Sequence, residues 1–155
     1  MNIVNEIDQV KLTNIFFLDS RKNIILDGKF TKIVCSDEFC TTNGIYIQMP
    51  LQLTAIEKLL NKNMLKFPTS NKLNYKMINE LSHLEQSILE YYKCLVGCNK
   101  TTILSLSDNI KNGYVKLYRD FFHNTTKSYV IKISGVWEDQ NRIGLTFKFL
   151  DATSM

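Results

Sequence analysis

Phe30, Lys32, Tyr46, Tyr114, Lys116, Tyr118, Lys132, Arg142 and Lys148 are the residues whose types and spacing could act together. They are cations and aromatics with no carboxylate among them. Cations neutralise phosphates while aromatic faces stack bases, each base contributing roughly 1–3 kcal/mol, so the set has the chemistry of a surface for single-stranded nucleic acid. Taken singly, each is an ordinary outward strand residue, because tyrosine favours strands and lysine favours solvent. Only agreement across several strands gives the set meaning.

Other chemistries have less to stand on. The few glycines mark hairpins, strand ends and a helix end, and form no phosphate-binding loop. His83 and His123 have no cysteine, serine or carboxylate at motif spacing, so no triad or metal centre is nominated. Glu80 with Glu85, and Asp37 with Glu38, read as solvated charge. Cys35 and Cys40 are spaced C-x4-C, and Cys94 and Cys98 C-x3-C, unlike the C-x2-C turns of zinc ribbons. Reduced structural thiols are expected, with a zinc site and then a disulfide as the lesser readings. A non-enzymatic protein without a cofactor is the expectation.

Period-two alternation is what places the basic and aromatic residues on one face. In 142–150, Ile143, Leu145, Phe147 and Phe149 form the core set and Arg142, Gly144, Thr146 and Lys148 the outward set. In 128–137, Ile131 and Ile133 point inward and Lys132 and Ser134 outward. In 114–119, Val115 and Leu117 point inward, leaving Tyr114, Lys116 and Tyr118 outward. Tyr46 and Gln48 are the outward members of 45–49, and Phe30 and Lys32 share a face in 29–35. A bulge or register slip would scatter the set over two faces.

Further strands are expected over 11–18 and 23–26, the latter joined to 29–35 by an Asp27-Gly28 hairpin turn. The residues 138–141 read as a second hairpin loop. Thr54-Ala55-Ile56-Glu57 fits a capping box, predicting a short helix with Ile56, Leu59 and Leu60 on one face. The long helix is plainer: Met77, Leu81, Leu84, Ile88, Tyr91 or Tyr92, and Leu95 recur at steps of three and four. Glu80, Glu85, Gln86, Glu90 and Lys93 take the other side, and Gly97 is the stop. After it, 102–106 reads as strand, with a helical turn over 105–111 as the alternative.

The whole is one α+β domain over residues 1–155, β-rich over 11–49, helical over 53–97 and β-rich over 102–150. The expected fold is a small antiparallel β-barrel or strongly curved sheet with one long amphipathic helix between the two strand groups. Such a core suits 155 residues of which 45% are hydrophobic. A net charge of +4 permits a polyanionic partner. Neither a signal peptide nor an apolar run of membrane length is seen, so an intracellular, non-membrane protein is expected.

The order of strands, helix and further strands resembles an OB-fold. The segments Asn43-Gly44-Ile45-Tyr46-Ile47, Ile110-Lys111-Asn112-Gly113-Tyr114-Val115-Lys116-Leu117-Tyr118, Ile131-Lys132-Ile133-Ser134-Gly135-Val136-Trp137-Glu138 and Ile143-Gly144-Leu145-Thr146-Phe147-Lys148-Phe149 carry a second resemblance. They are similar, in patches over 10–150, to small, poorly characterised proteins of nucleocytoplasmic large DNA viruses. An Asn-, Lys- and Ile-rich composition suits an AT-rich genome. These motifs are structural, so the resemblance implies a viral source, in host cytoplasm or a replication compartment, and supplies no activity. Single-stranded DNA, or RNA, is the expected partner, in viral DNA replication or genome maintenance. The alternative is a protein–protein or assembly module of a viral particle or replication compartment, with homo-oligomer or viral protein partners and the tyrosines and Trp137 as anchors.

Overall fold

The computed structural model describes residues 4–23, 28–59, 62–118 and 129–151. After two 3-10 turns (Ile7–Gln9 and Leu12–Asn14) come β1 (Ile15–Phe17), β2 (Arg21–Asn23), β3 (Gly28–Ser36), β4 (Thr41–Thr42), β5 (Ile45–Gln48), β6 (Ala55–Leu59) and β7 (Lys62–Lys66). The helix α1 (Lys72–Val96) follows, then β8 (Thr101–Ile103), α2 (Ser105–Lys111), β9 (Tyr114–Tyr118), β10 (Tyr129–Glu138) and β11 (Arg142–Asp151). The fold is α+β, with a mostly antiparallel sheet and one long helix.

The sheet runs β1-β3-β10-β11-β9-β7-β6, with β2 and β4 on β3, β5 on β10 and β8 on β11. The β10–β11 hairpin is its centre: the two strands pair from Tyr129–Asp151 to Glu138–Ile143 and bury Ile131, Ile133, Val136, Ile143, Leu145 and Phe149. β8 and β9 pair with β11 in parallel, which alternation alone does not reveal. Among the described residues no pairing returns from β6 to β1, so the sheet is open and not closed into the expected barrel.

Both helices belong to the core. Ile78, Leu81, Ile88, Leu89 and Tyr92 from α1 and Leu106 and Ile110 from α2 cluster with Val115, Ile131, Ile133, Leu145 and Phe149. α1 begins where the Asn71 side-chain oxygen accepts the Leu73 N–H at 2.9 Å. It ends at Gly97, whose φ of 69° is the left-handed cap that glycine adopts without a Cβ penalty. Asn74, fully buried, ties this helix to a loop by accepting the Gln52 N–H at 2.7 Å and donating to the carbonyls of Gln52 and Pro68.

Several local expectations are corrected. The helix predicted from Thr54 is instead the β6–β7 hairpin. The Thr54 hydroxyl donates to the Lys66 carbonyl at 3.2 Å, and Glu57 pairs with Lys66 across the strands instead of capping a turn. Leu65 on β7 is fully buried and lies opposite Val115 of β9, so tertiary pairing outweighs the capping pattern. The segment 11–18 is part 3-10 turn, and strand begins only at Ile15. Gly28 lies within β3 opposite Asn23, and residues 24–27, which hold most of the strand expected over 23–26 and Asp27 of the expected turn, lie outside the described residues. Beyond α1, both alternatives occur: β8 forms, and so does α2.

The polar side assigned to α1 is also wrong at one position. Glu85 is fully buried, in register with Ile78, Leu81 and Ile88, whereas Leu95 is 59% exposed. The Glu85 carboxylate accepts the N–H groups of Leu106 and Ser107, both at 2.8 Å, and the Ser107 hydroxyl at 2.6 Å. It caps α2, whose own cap residue Leu104 has no side-chain acceptor.

Candidate nucleic-acid interface

Pairing register decides which side chains share the face of the sheet away from the helices. Directly opposite residues lie on the same face. One row holds Arg21, Phe30, Trp137 and Gly144, and the next holds Lys32, Gly135 and Thr146. A third holds Tyr46, Lys132 and Lys148. On the other flank, Tyr114 lies opposite Lys66 and Lys116 opposite Met64. Arg142 and Lys148 alternate with the buried Ile143, Leu145 and Phe149 on β11. The sequence set other than Tyr118 is therefore brought to one outer face; the Tyr118 backbone pairs opposite Leu150.

Accessibility divides the set. Lys32, Lys116 and Lys148 are exposed, and Tyr114 is 49% exposed. Tyr46 is only 5% exposed, with the Lys132 ammonium 5.4 Å from its ring centre. That ring is enclosed, and its place beside Lys132 is structural. Arg142 is held at the β10–β11 turn, where its Nε and Nη2 both lie 2.7 Å from Asp139 Oδ2. The N–H groups of Asn141 and Arg142 donate to Asp139 Oδ1 at 2.9 and 2.6 Å. The Asn141 N–H first, and the Arg142 side chain second, hold the Asp139 carboxyl below its ordinary value.

Carboxylates do intrude on this face, contrary to the sequence reading. Glu57 lies opposite Met64 on the outer side and pairs with Lys66, and Asp139 attends Arg142. Lys32 and Lys132 make no ion pair among the described residues.

Two residues that alternation missed extend the row through Phe30. Arg21 lies opposite Phe30, and Trp137 lies opposite both Phe30 and Gly144. Strict alternation from Ile131 and Ile133 would turn Trp137 inward. A register shift between Ile133 and Gly135 reverses the parity, so Val136 is buried and Trp137 faces out. The signal that could have found it is the pair of glycines. A Cβ on Gly144 would sit 2.5 Å from the Trp137 ring, and one on Gly135 would sit 2.6 Å from the Phe30 ring. Each aromatic lies against a bare stretch of backbone on a neighbouring strand.

Around these rings the surface is concave. A cleft of about 570 Å³ is lined by Phe17, Leu18, Asp19, Arg21, Phe30 and Lys32. A second, of about 810 Å³, continues past Phe30 to Trp137, Arg142 and Thr146. The Arg142 guanidinium carbon is 5.8 Å from the Trp137 ring centre. The arrangement can seat a chain of flat, anionic units, with aromatic edges and faces at the middle and cations on both sides.

The remaining candidates do not form sites of their own. Cys35, Cys40, Cys94 and Cys98 are free thiols. Burial first, and Asp37 second, push the Cys35 thiol up, which disfavours a reactive thiolate. Among the described residues no three His, Cys, Asp or Glu side chains are grouped to hold a metal, and His83 is exposed on α1. His123 lies outside the described residues. Among those described, no helix is long and apolar enough to cross a membrane. Comparison with protein-family models, with curated proteins and with solved structures finds no match to this chain.

Proposed function

We propose that the protein is a non-enzymatic module that binds single-stranded nucleic acid along the outer face of its sheet. The observation that carries this is the row Arg21, Phe30 and Trp137, flanked by Lys32 and by Lys132 with Lys148, along two clefts that share Phe30. Rings of any base can stack on such aromatics, while the cations follow the backbone, so binding is tolerant of sequence. An OB-like placing of the long helix between strand groups, and a role in viral DNA replication or genome maintenance inside infected cells, complete the proposal. They draw on the order of elements and the resemblance to viral proteins.

A titration of labelled single- and double-stranded DNA at two salt concentrations tests it. Single strands should bind more tightly, and affinity should fall steeply with salt, with a log–log slope near −0.7 per phosphate neutralised, or roughly −3 for four contacts. Equal binding of duplex, or no binding of single strands at low salt and micromolar protein, contradicts the proposal.

A protein–protein module is the second reading. It is favoured by Phe39 at 89%, Phe16 at 52% and Leu18 at 47% exposed, since large exposed apolar side chains often mark contact surfaces. A mass that rises with concentration in light scattering, together with no affinity for oligonucleotides, would select it.

A further inference from the structure

We propose that the cleft beside the β10–β11 turn, on the helix side of the sheet's end, binds a phosphate monoester as its dianion. Lys22 lies directly opposite Lys29, and Lys29 directly opposite Glu138. These three, with Ser20, Lys100 and Asp139, line a cleft of about 450 Å³.

The carboxylates there are already engaged. Glu138, 9% exposed, accepts from Lys100 Nζ at 3.1 Å and from the Tyr92 hydroxyl, and Asp139 is held by Arg142. Like charges directly opposite on paired strands repel. Lys22 and Lys29 are nonetheless both exposed, and neither makes an ion pair among the described residues. Three cations (Lys22, Lys29, Lys100) line the cleft with two carboxylates; Glu138 is offset by Lys100, and Asp139 by Arg142 from outside the cleft, which leaves the charges of Lys22 and Lys29 unbalanced. The excess of two positive charges matches a monoester dianion, not the single charge of a diester.

The wall behind is a fixed polar chain. Ser20 Oγ lies 2.6 Å from Thr31 Oγ1, which lies 3.2 Å from the Tyr92 hydroxyl. Ser20 sits at its solvent end, where its hydroxyl can turn to donate to a phosphate oxygen. Such a phosphate has two sources, a free nucleotide or the phosphorylated end of a strand. The second rests on the proposed outer-face binding, because this cleft shares Lys29, Glu138 and Asp139 with the one that holds Trp137.

Amide NMR titrations with inorganic phosphate, thymidine and thymidine monophosphate test the site, followed by dT oligonucleotides with and without a terminal phosphate. Inorganic phosphate and the monophosphate should shift the amides of Lys22, Lys29 and Lys100 saturably, and thymidine should not. Lys22→Gln and Lys29→Gln, both at exposed positions, should each weaken the monophosphate about tenfold while leaving the fold unchanged. Affinity should also fall below about pH 6, where the ester regains its second proton. No saturable shift with either phosphate, or unchanged affinity in both variants, overturns the proposal. Tighter binding of the phosphorylated oligonucleotide supports it and makes a strand end the source; equal oligonucleotide affinities beside monophosphate binding support it and make a free nucleotide the source. Monophosphate binding without any affinity for unphosphorylated dT leaves this site standing and removes the outer-face reading.

Discussion

Glu85 shows how one side chain can serve a role opposite to its usual one. A carboxylate between Leu81 and Ile88 breaks the apolar pattern, and alternation of charge along α1 assigns it to solvent. It is buried because three donors of α2 converge on it, and those donors lie about twenty residues away in sequence, beyond the reach of any local pattern. Glu85→Ala removes the acceptor and leaves the Leu106 and Ser107 N–H groups buried without a partner. The expected loss is about 3 kcal/mol in urea unfolding, and a loss under about 0.5 kcal/mol would show that the cap is dispensable. Asp139 gives a pH signature. Its folded carboxyl titrates below its unfolded value, so its contribution is present above the unfolded value near pH 4 and is lost as pH falls through the lower folded one. An NMR titration should place the Asp139 midpoint below that of a free aspartate, and Arg142→Ala should move it back upward.

Strands were legible in this chain where both faces of the alternation were clean. β9, β11, β10 as far as its bulge, and the end of α1 at Gly97 follow from alternation and capping. The β6–β7 hairpin was not legible, because a Thr and a Glu three apart fit a capping box as well as they fit neighbouring strand positions. What decides is the partner: Leu65 pairs across to Val115, a contact no window of local sequence contains. Trp137 was missed for a different reason, since the bulge after Ile133 inverts the parity of everything beyond it. The glycines opposite the rings carry a prediction at this scale. Gly144→Ala should cost about 1–3 kcal/mol by overpacking and should shift the Trp137 emission to longer wavelength as the ring is lifted into solvent. Unchanged stability and emission would mean that the ring does not rest on that backbone.

At the scale of the whole molecule, two helices cover one face of an open sheet and leave the other to carry a mixture of cations and rings. Most of that mixture was readable from the sequence, because it follows from parity. Its limits were not: Tyr46 is enclosed, Arg142 is held by Asp139, and Glu57 shares the face with Lys66. Those are facts of side-chain packing, which strand parity does not contain. The centre of the proposed binding surface is Trp137, and it is the chain's single tryptophan. Its fluorescence during titration with a dT oligonucleotide at low salt is therefore a direct test. Stacking or close approach of bases should quench it saturably, and added salt should reverse the quench. Emission that stays constant to micromolar protein and excess oligonucleotide would contradict binding on this face.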